Sequence, residues 1–263
     1  MPDLDTRGKI AAAEIAFYVP IAILSLLLVI RYAFRRDSGW HFLFLFALVR
    51  ITAGALLIAA ELVTPYNEGI YTAAWVLNDT GLGFLMMSTL GFLGLAGQHT
   101  YSELLRTIHM YRSVGIVILV AIAITAAGGG VQAYADQNNI RTGKILRRIG
   151  AVLLGVLWAI LLMLHFHAMR SHRLMRTYRK RLLTTLWVAL PVLGVRAAFS
   201  ILNAFASADV FGYQLSPNRT LSPFAYTQGW VRWLVMCLVM EYAVVLIYLI
   251  SSTGVSRRNR LSY

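Results

Sequence analysis

One cysteine, six prolines and 11 acidic residues are all that this chain of 263 residues holds of those types. A lone Cys237 excludes an intrachain disulfide and a cysteine-based metal centre, and it disfavours redox chemistry. Charged residues make up 13% of the chain, about half the share usual in soluble domains, while 59% is hydrophobic. No polar stretch is long enough to build a soluble domain. The space is taken instead by seven apolar runs, near residues 10–30, 42–63, 71–97, 113–135, 149–168, 184–207 and 229–250. A helix rising about 1.5 Å per residue needs roughly 20 apolar residues to cross hydrocarbon, and each run is that long. The expected fold is all-α, a polytopic bundle of seven transmembrane helices forming one domain over residues 1–263. The first run is too long for a signal-peptide core and lacks a basic leader with a small-residue cleavage site, so it reads as a true helix.

In a soluble protein a net charge of +13 would suggest nucleic acid. Here the Lys and Arg fall mainly in loops, where anionic lipid and topogenesis account for them, and no nucleic-acid partner is expected. With the C-terminus inside, the inner segments hold about fourteen basic residues: Arg31, Arg35, Arg36, Arg106, Arg112, Arg170, Arg173, Arg176, Arg179, Lys180, Arg181, Arg257, Arg258 and Arg260. The outer ones hold about seven, Arg7, Lys9, Arg141, Lys144, Arg147, Arg148 and Arg219, so the N-terminus is expected outside. Within that set the Arg141–Arg148 loop argues the other way. The sequon Asn218-Arg219-Thr220 falls on the outer side in this arrangement, and a second match at Asn78 lies inside span three. The run from Arg170 to Arg181 reads as an anchor on anionic headgroups. Gly128-Gly129-Gly130 reads as helix termination or close packing.

Charges within spans cost about 2.5–3.5 kcal/mol each on insertion scales, so those present should face the bundle interior. They are Glu14, Arg50, Glu61, Asp79, Arg196, Arg232 and Glu241, joined by Asn78 and Asn203. Arg50 and Glu61 lie eleven residues apart, about 16 Å along one face of span two, and are expected to line one cavity. Glu14, Glu61, Asn203 and Arg232 fall shallow, Asp79 somewhat deeper, and Arg50, Arg196 and Glu241 near the midplane, where Glu241 would bridge two arginines. Such pairs often do no more than lock helices in register. Three arginines against four acids nevertheless leave one carboxyl without a full partner, and a lone acid in hydrocarbon stays neutral as a proton donor. Trp75 and Tyr242 stand beside these acids, as packing or as walls whose π faces stabilise a cation. Pro20 and Pro191 free backbone carbonyls and are expected to kink spans one and six. His165 and His167 diverge by about 200° on their helix and suit packing better than a metal. No metal and no cofactor are expected.

The segments AEIAFYVP, SGWHFLFLFALVRITAGALLIAAEL, IYTAAWVLNDTGLGFLMMSTLGFL, ALPVLGVRAAFS and MEYAVV resemble, over nearly the full chain, a seven-span integral membrane family of filamentous fungi of unknown function. That resemblance implies the fold and a fungal membrane setting, with no activity attached. More distantly the chain is similar to the fungal membrane-bound terpene cyclases of meroterpenoid pathways, in architecture and in two acids, Glu61 and Glu241. The implied function is an acid-initiated cyclase on an isoprenoid or other lipid in secondary metabolism. Glu241, Glu61 and Asp79 would supply acid and base, Arg50 and Arg196 would orient them, and Asn78, Asn203, Glu14, Trp75 and Tyr242 would hold a hydrophobic small-molecule substrate. A seven-transmembrane receptor or sensor is the alternative, although Asp-Arg-Tyr after span three, Asn-Pro-x-x-Tyr in span seven and a span-seven lysine are all missing. A small proton-linked transporter is the other. Membrane lipid is the expected surrounding partner, and the endoplasmic reticulum or another endomembrane the expected location.

Overall fold

A computed structural model of the protein describes residues 5–32, 38–63, 67–97, 105–132, 137–170, 177–207, 215–226 and 228–258. Hydrocarbon offers the backbone no hydrogen-bond partners, so apolar runs of this length satisfy their own amides as helices. We number these α1 (Thr6–Tyr32), α2 (Ser38–Leu62), α3 (Glu68–Gly97), α4 (Leu105–Gln132), α5 (Gln137–Arg170), α6 (Thr177–Ala206) and α7 (Trp230–Arg258). The last is α-helical at Trp230–Trp233, π-helical at Leu234–Val239 and α-helical again from Met240. Each of the seven includes a stretch long and apolar enough to cross a membrane, the architecture of a multi-pass integral membrane protein. Between α6 and α7 a 3-10 turn, Ser222–Phe224, leads to Tyr226. Leu215 pairs with Ser207 in an isolated bridge.

Consecutive helices pack against one another, and α3 touches α2, α4, α5 and α6. It is the central helix, with 78% of its apolar window buried in protein against 28% for α1. The starts of α1, α3, α5 and α7 and the ends of α2, α4 and α6 share one end of the bundle. The 215–226 segment closes that end, called here the lid end. The larger apolar core fills the opposite half, from Trp40, Leu43 and Phe46 through Leu85 and Phe92 to Val245 and Tyr248. A smaller core of Ala11, Leu57, Trp75, Phe199, Tyr226, Trp233 and Cys237 lies under the lid.

One expectation changes and another narrows. The segment Arg141–Arg148 is helix rather than loop, because α5 starts at Gln137, well ahead of the apolar run. At 34 residues α5 is about 50 Å long, more than hydrocarbon requires, and a search for apolar runs cannot register turns that extend beyond it. The three glycines do not end α4, which continues to Gln132. Gly128 and Gly129 serve packing: a Cβ on Gly129 would meet Val76 of α3, and one on Gly128 would stand 2.6 Å from the backbone nitrogen of Arg147, so α4 and α5 meet backbone to backbone there.

Candidate functional site

Arg50 lies at the middle of α2 and is fully buried. Its Nη1 donates to Glu14 Oε1 of α1 at 3.2 Å and to Asn78 Oδ1 of α3, and its Nη2 donates to Glu241 Oε2 of α7. Arg196 of α6, equally buried, donates through Nε to Glu241 Oε1 at 2.5 Å, through Nη1 to Ser200 Oγ and through Nη2 to the Asn78 carbonyl at 3.4 Å. One carboxylate therefore holds two guanidiniums, and five helices are tied at one point. Cys237 completes the cluster, with Sγ 3.6 Å from Arg50 Nη2 and 3.9 Å from Glu241 Oε1.

The π-helical turn explains how α7 presents so many groups to this point. Trp233 and Glu241 are eight residues apart, about 80° from one another on a regular helix. A π turn absorbs roughly one extra residue, which brings the two to within about 20° of one face, both buried.

Nearer the lid end a second cluster surrounds Asp79 of α3. Arg147 Nε of α5 stands 3.3 Å from Asp79 Oδ2, and the Tyr226 hydroxyl donates to Oδ1. Arg147 also donates to Ser207 Oγ at 3.4 Å. Burial, and then the adjacent Asp79 carboxylate, push the Tyr226 phenol well above its ordinary range, so it stays a donor at neutral pH. Tyr226 further stacks on Trp75 at 4.3 Å, and Trp75 meets Trp233 edge-on at 5.6 Å. Arg7 of α1 donates to the Tyr226 carbonyl at 3.1 Å and to the Tyr71 hydroxyl at 3.2 Å. The lid segment is thus pinned by its last aromatic residue to α1, α3 and α5.

These contacts revise the charge inventory. Arg232 is exposed, donating to the Pro223 carbonyl at 2.8 Å, and is not an interior charge. Arg147, assigned to a loop from sequence, is 3% exposed and takes its place. Glu61 does not share a cavity with Arg50. It lies half-buried at the lid end, facing the backbone of Asp5 and Gly8, because eleven residues of helix carry it clear of the cluster. Within the two clusters three carboxylates, Glu14, Asp79 and Glu241, face three guanidiniums, Arg50, Arg147 and Arg196. The expected surplus acid is not among them.

Asn203 is buried, but its Oδ1 has no partner and it stands outside both networks. Tyr242 packs edge-on against Phe17 at 5.5 Å and Tyr18 at 6.0 Å, on the seam between α1 and α7. His165 is buried against Trp187 while His167 is exposed, as their divergence on the helix requires. Among the described residues no three His, Cys, Asp or Glu side chains gather as a metal ion would need. Two small cavities adjoin the clusters, each of about 10 Å³, room for roughly one water-sized group. The first is lined by Asp79, Thr125, Arg147 and Ser200, the second by Glu14, Trp75, Asn78 and Trp233.

Arg147 and the π turn are what sequence reasoning missed. Arg147 carried a signal, since it lies four residues from Gly143 and three from Gly150, a spacing that marks a close-packed helix face. For the π turn the sequence carries no comparable mark.

The family model described as a domain of unknown function, DUF7702, matches residues 4–259, and the chain belongs to that family. This fits the resemblance to a seven-span family of unknown function. No curated protein matches the chain, and the likeness to terpene cyclases finds no support in either comparison.

Proposed function

We propose that this DUF7702 member is a membrane sensor, a single seven-helix domain that is held in one state by an interior ionic lock and changes state when the lid end is disturbed. One observation carries the reading: every carboxylate of the two clusters is already paired with an arginine, and the two cavities that adjoin them each have room for about one water-sized group. Such an interior performs no chemistry on a lipid-sized molecule until helices move. It is well suited to a two-state element, because separating a buried ion pair costs about 3–5 kcal/mol and a rearrangement that re-pairs every charge avoids most of that cost. The lid is joined to the lock by a continuous path, from Tyr226 through Trp75 and Trp233 to Cys237 and Glu241. A ligand that binds better with Tyr226 displaced would bias the lock by that difference in affinity and by no more.

Cys237 is the sole thiol of the chain and lies against Arg50 and Glu241, so its reaction with a membrane-permeant methanethiosulfonate reagent reads opening of the lock without an engineered probe. In native-like nanodiscs the unaltered protein should label slowly, and Tyr226→Phe and Asp79→Asn should each label faster. Equal rates in all three would remove the coupling on which the sensor rests.

A second reading keeps the lipid-directed acid–base enzyme. It is favoured by the ring cluster of Trp75, Tyr226 and Trp233, which lies beside Glu14 and Asp79 as a cation-stabilising wall would. It requires Glu241 or Asp79 to be released from its arginine in an opened chamber. Conversion of an isoprenoid substrate by the unaltered protein, lost in Glu241→Gln, would favour it over the sensor.

We also propose that the lid end faces outward. Arg7, Arg147 and Arg148 are taken up by protein contacts, Arg148 donating to the Ala204 carbonyl at 3.3 Å and lying 4.8 Å over Phe205. Three of the seven basic residues that oppose the assignment are thereby withdrawn from the headgroups. Asn218 is exposed at this end, so expression in a glycosylating host should give a glycan that Asn218→Gln abolishes.

A further inference from the structure

We propose that the cavity between α1, α2, α3 and α7, lined by Glu14, Asn78, Trp75 and Trp233, binds the hydroxyl group of a membrane-soluble alcohol. Trp75 and Trp233 are each 2% exposed, both line this cavity, and neither indole N–H has an acceptor in the protein. A buried donor left unpaired costs about 1–3 kcal/mol, and two stand at one small cavity. Indole is a donor only, so the group that satisfies it must bring lone pairs. The same cavity is lined by Glu14 and Asn78, whose oxygens accept from Arg50 and have lone pairs left for a group that brings a proton.

Charge narrows the class. An anion would face the Glu14 carboxylate, and both Nη atoms of the nearby Arg50 are already engaged by Glu14, Glu241 and Asn78. An ammonium head cannot accept from indole and would lie near Arg50. Ethers and esters accept but do not donate. A hydroxyl, of an alcohol or of water, accepts and donates at one atom, and a cavity of about 10 Å³ fits a group of that size; the titration below tells the two sources apart.

The remaining walls are small and apolar, with Gly54 and Leu57 among them. A hydrocarbon tail reaches them from the bilayer along the seam between α1 and α7. Those two helices meet through side chains such as Phe17 and Tyr242 rather than through close-packed backbones. Phe17 is 58% exposed, so rotamer changes can open the seam without parting the bundle.

The full chain in nanodiscs is titrated with dodecan-1-ol, dodecyl methyl ether and dodecane, following tryptophan fluorescence and thermal stability. The alcohol should give a saturable change in both, the ether a weaker one and the alkane none. Trp233→Phe and Trp75→Phe should each weaken the alcohol about five- to tenfold, one hydrogen bond's worth. An alcohol no better than the alkane on the unaltered protein overturns the site, whether or not the variants fold. So does unchanged alcohol affinity in both variants. Cys237 labelling in the same samples separates this site from the sensor: alcohol that binds but leaves labelling unchanged keeps the site, and the Tyr226→Phe and Asp79→Asn rates then judge the sensor alone.

Discussion

The two halves of the bundle solve the same problem by different means. Away from the lid, helices are joined by apolar interdigitation, with neutral polar contacts such as Thr89 with the Tyr248 hydroxyl at 2.7 Å and Ser88 donating to the Gly39 carbonyl at 3.0 Å. Toward the lid, six charges and an aromatic cluster do the joining. Dispersion degrades gradually when a side chain is trimmed, whereas a buried ion pair fails abruptly when one partner is lost. On the sensor reading proposed above, the first half would hold its shape and the second would take two.

Perturbing each half should make that contrast measurable. Glu241→Ala leaves Arg50 with Glu14 as its carboxylate and strips Arg196 of the Glu241 carboxylate, and should cost about 3–5 kcal/mol, read as a lower thermal midpoint or as loss of folded protein in detergent. Gly128→Ala forces a Cβ against the α5 backbone beside Arg147 and should cost about 1–3 kcal/mol by the same measurement. Its effect should also reach Cys237 labelling, because Arg147 moves with α5. Thr89→Val removes one neutral hydrogen bond from the quiet half, at about 1 kcal/mol, with labelling of Cys237 unchanged. Glu61→Gln, at the rim and outside both networks, should stay within about 0.5 kcal/mol of the parent and leave labelling unchanged. A labelling response to Thr89→Val equal to that of Gly128→Ala would erase the distinction between the halves.

The spans were legible because hydrocarbon imposes one rule on every residue of a run, whatever its tertiary partners. Glu241 between Arg50 and Arg196 was legible in part, since all three fall near the middle of their spans and charges so placed must find one another. Arg147 was not, because a polar helix end extending from hydrocarbon has the composition of a loop. The misplacement of Glu61 and Arg232 has the same root: depth along a span can be counted, but whether a side chain near its end turns inward depends on what covers that end. Tyr226 does the covering, and nothing in the run of residues before α7 marks it for that role. The charge balance followed from these assignments, so exchanging one arginine for another and setting one acid aside turned a surplus acid into a neutral interior.

The ionisation of Glu241 is the quantity on which most depends, and infrared difference spectroscopy of the parent against Glu241→Gln in lipid reads it directly. Held by two guanidiniums, Glu241 should contribute carboxylate stretches and no carboxylic-acid C=O band at neutral pH. A carboxylic-acid band that disappears in Glu241→Gln would mean a neutral acid at the centre of the bundle, contradicting the ionic lock and restoring a proton donor in its place.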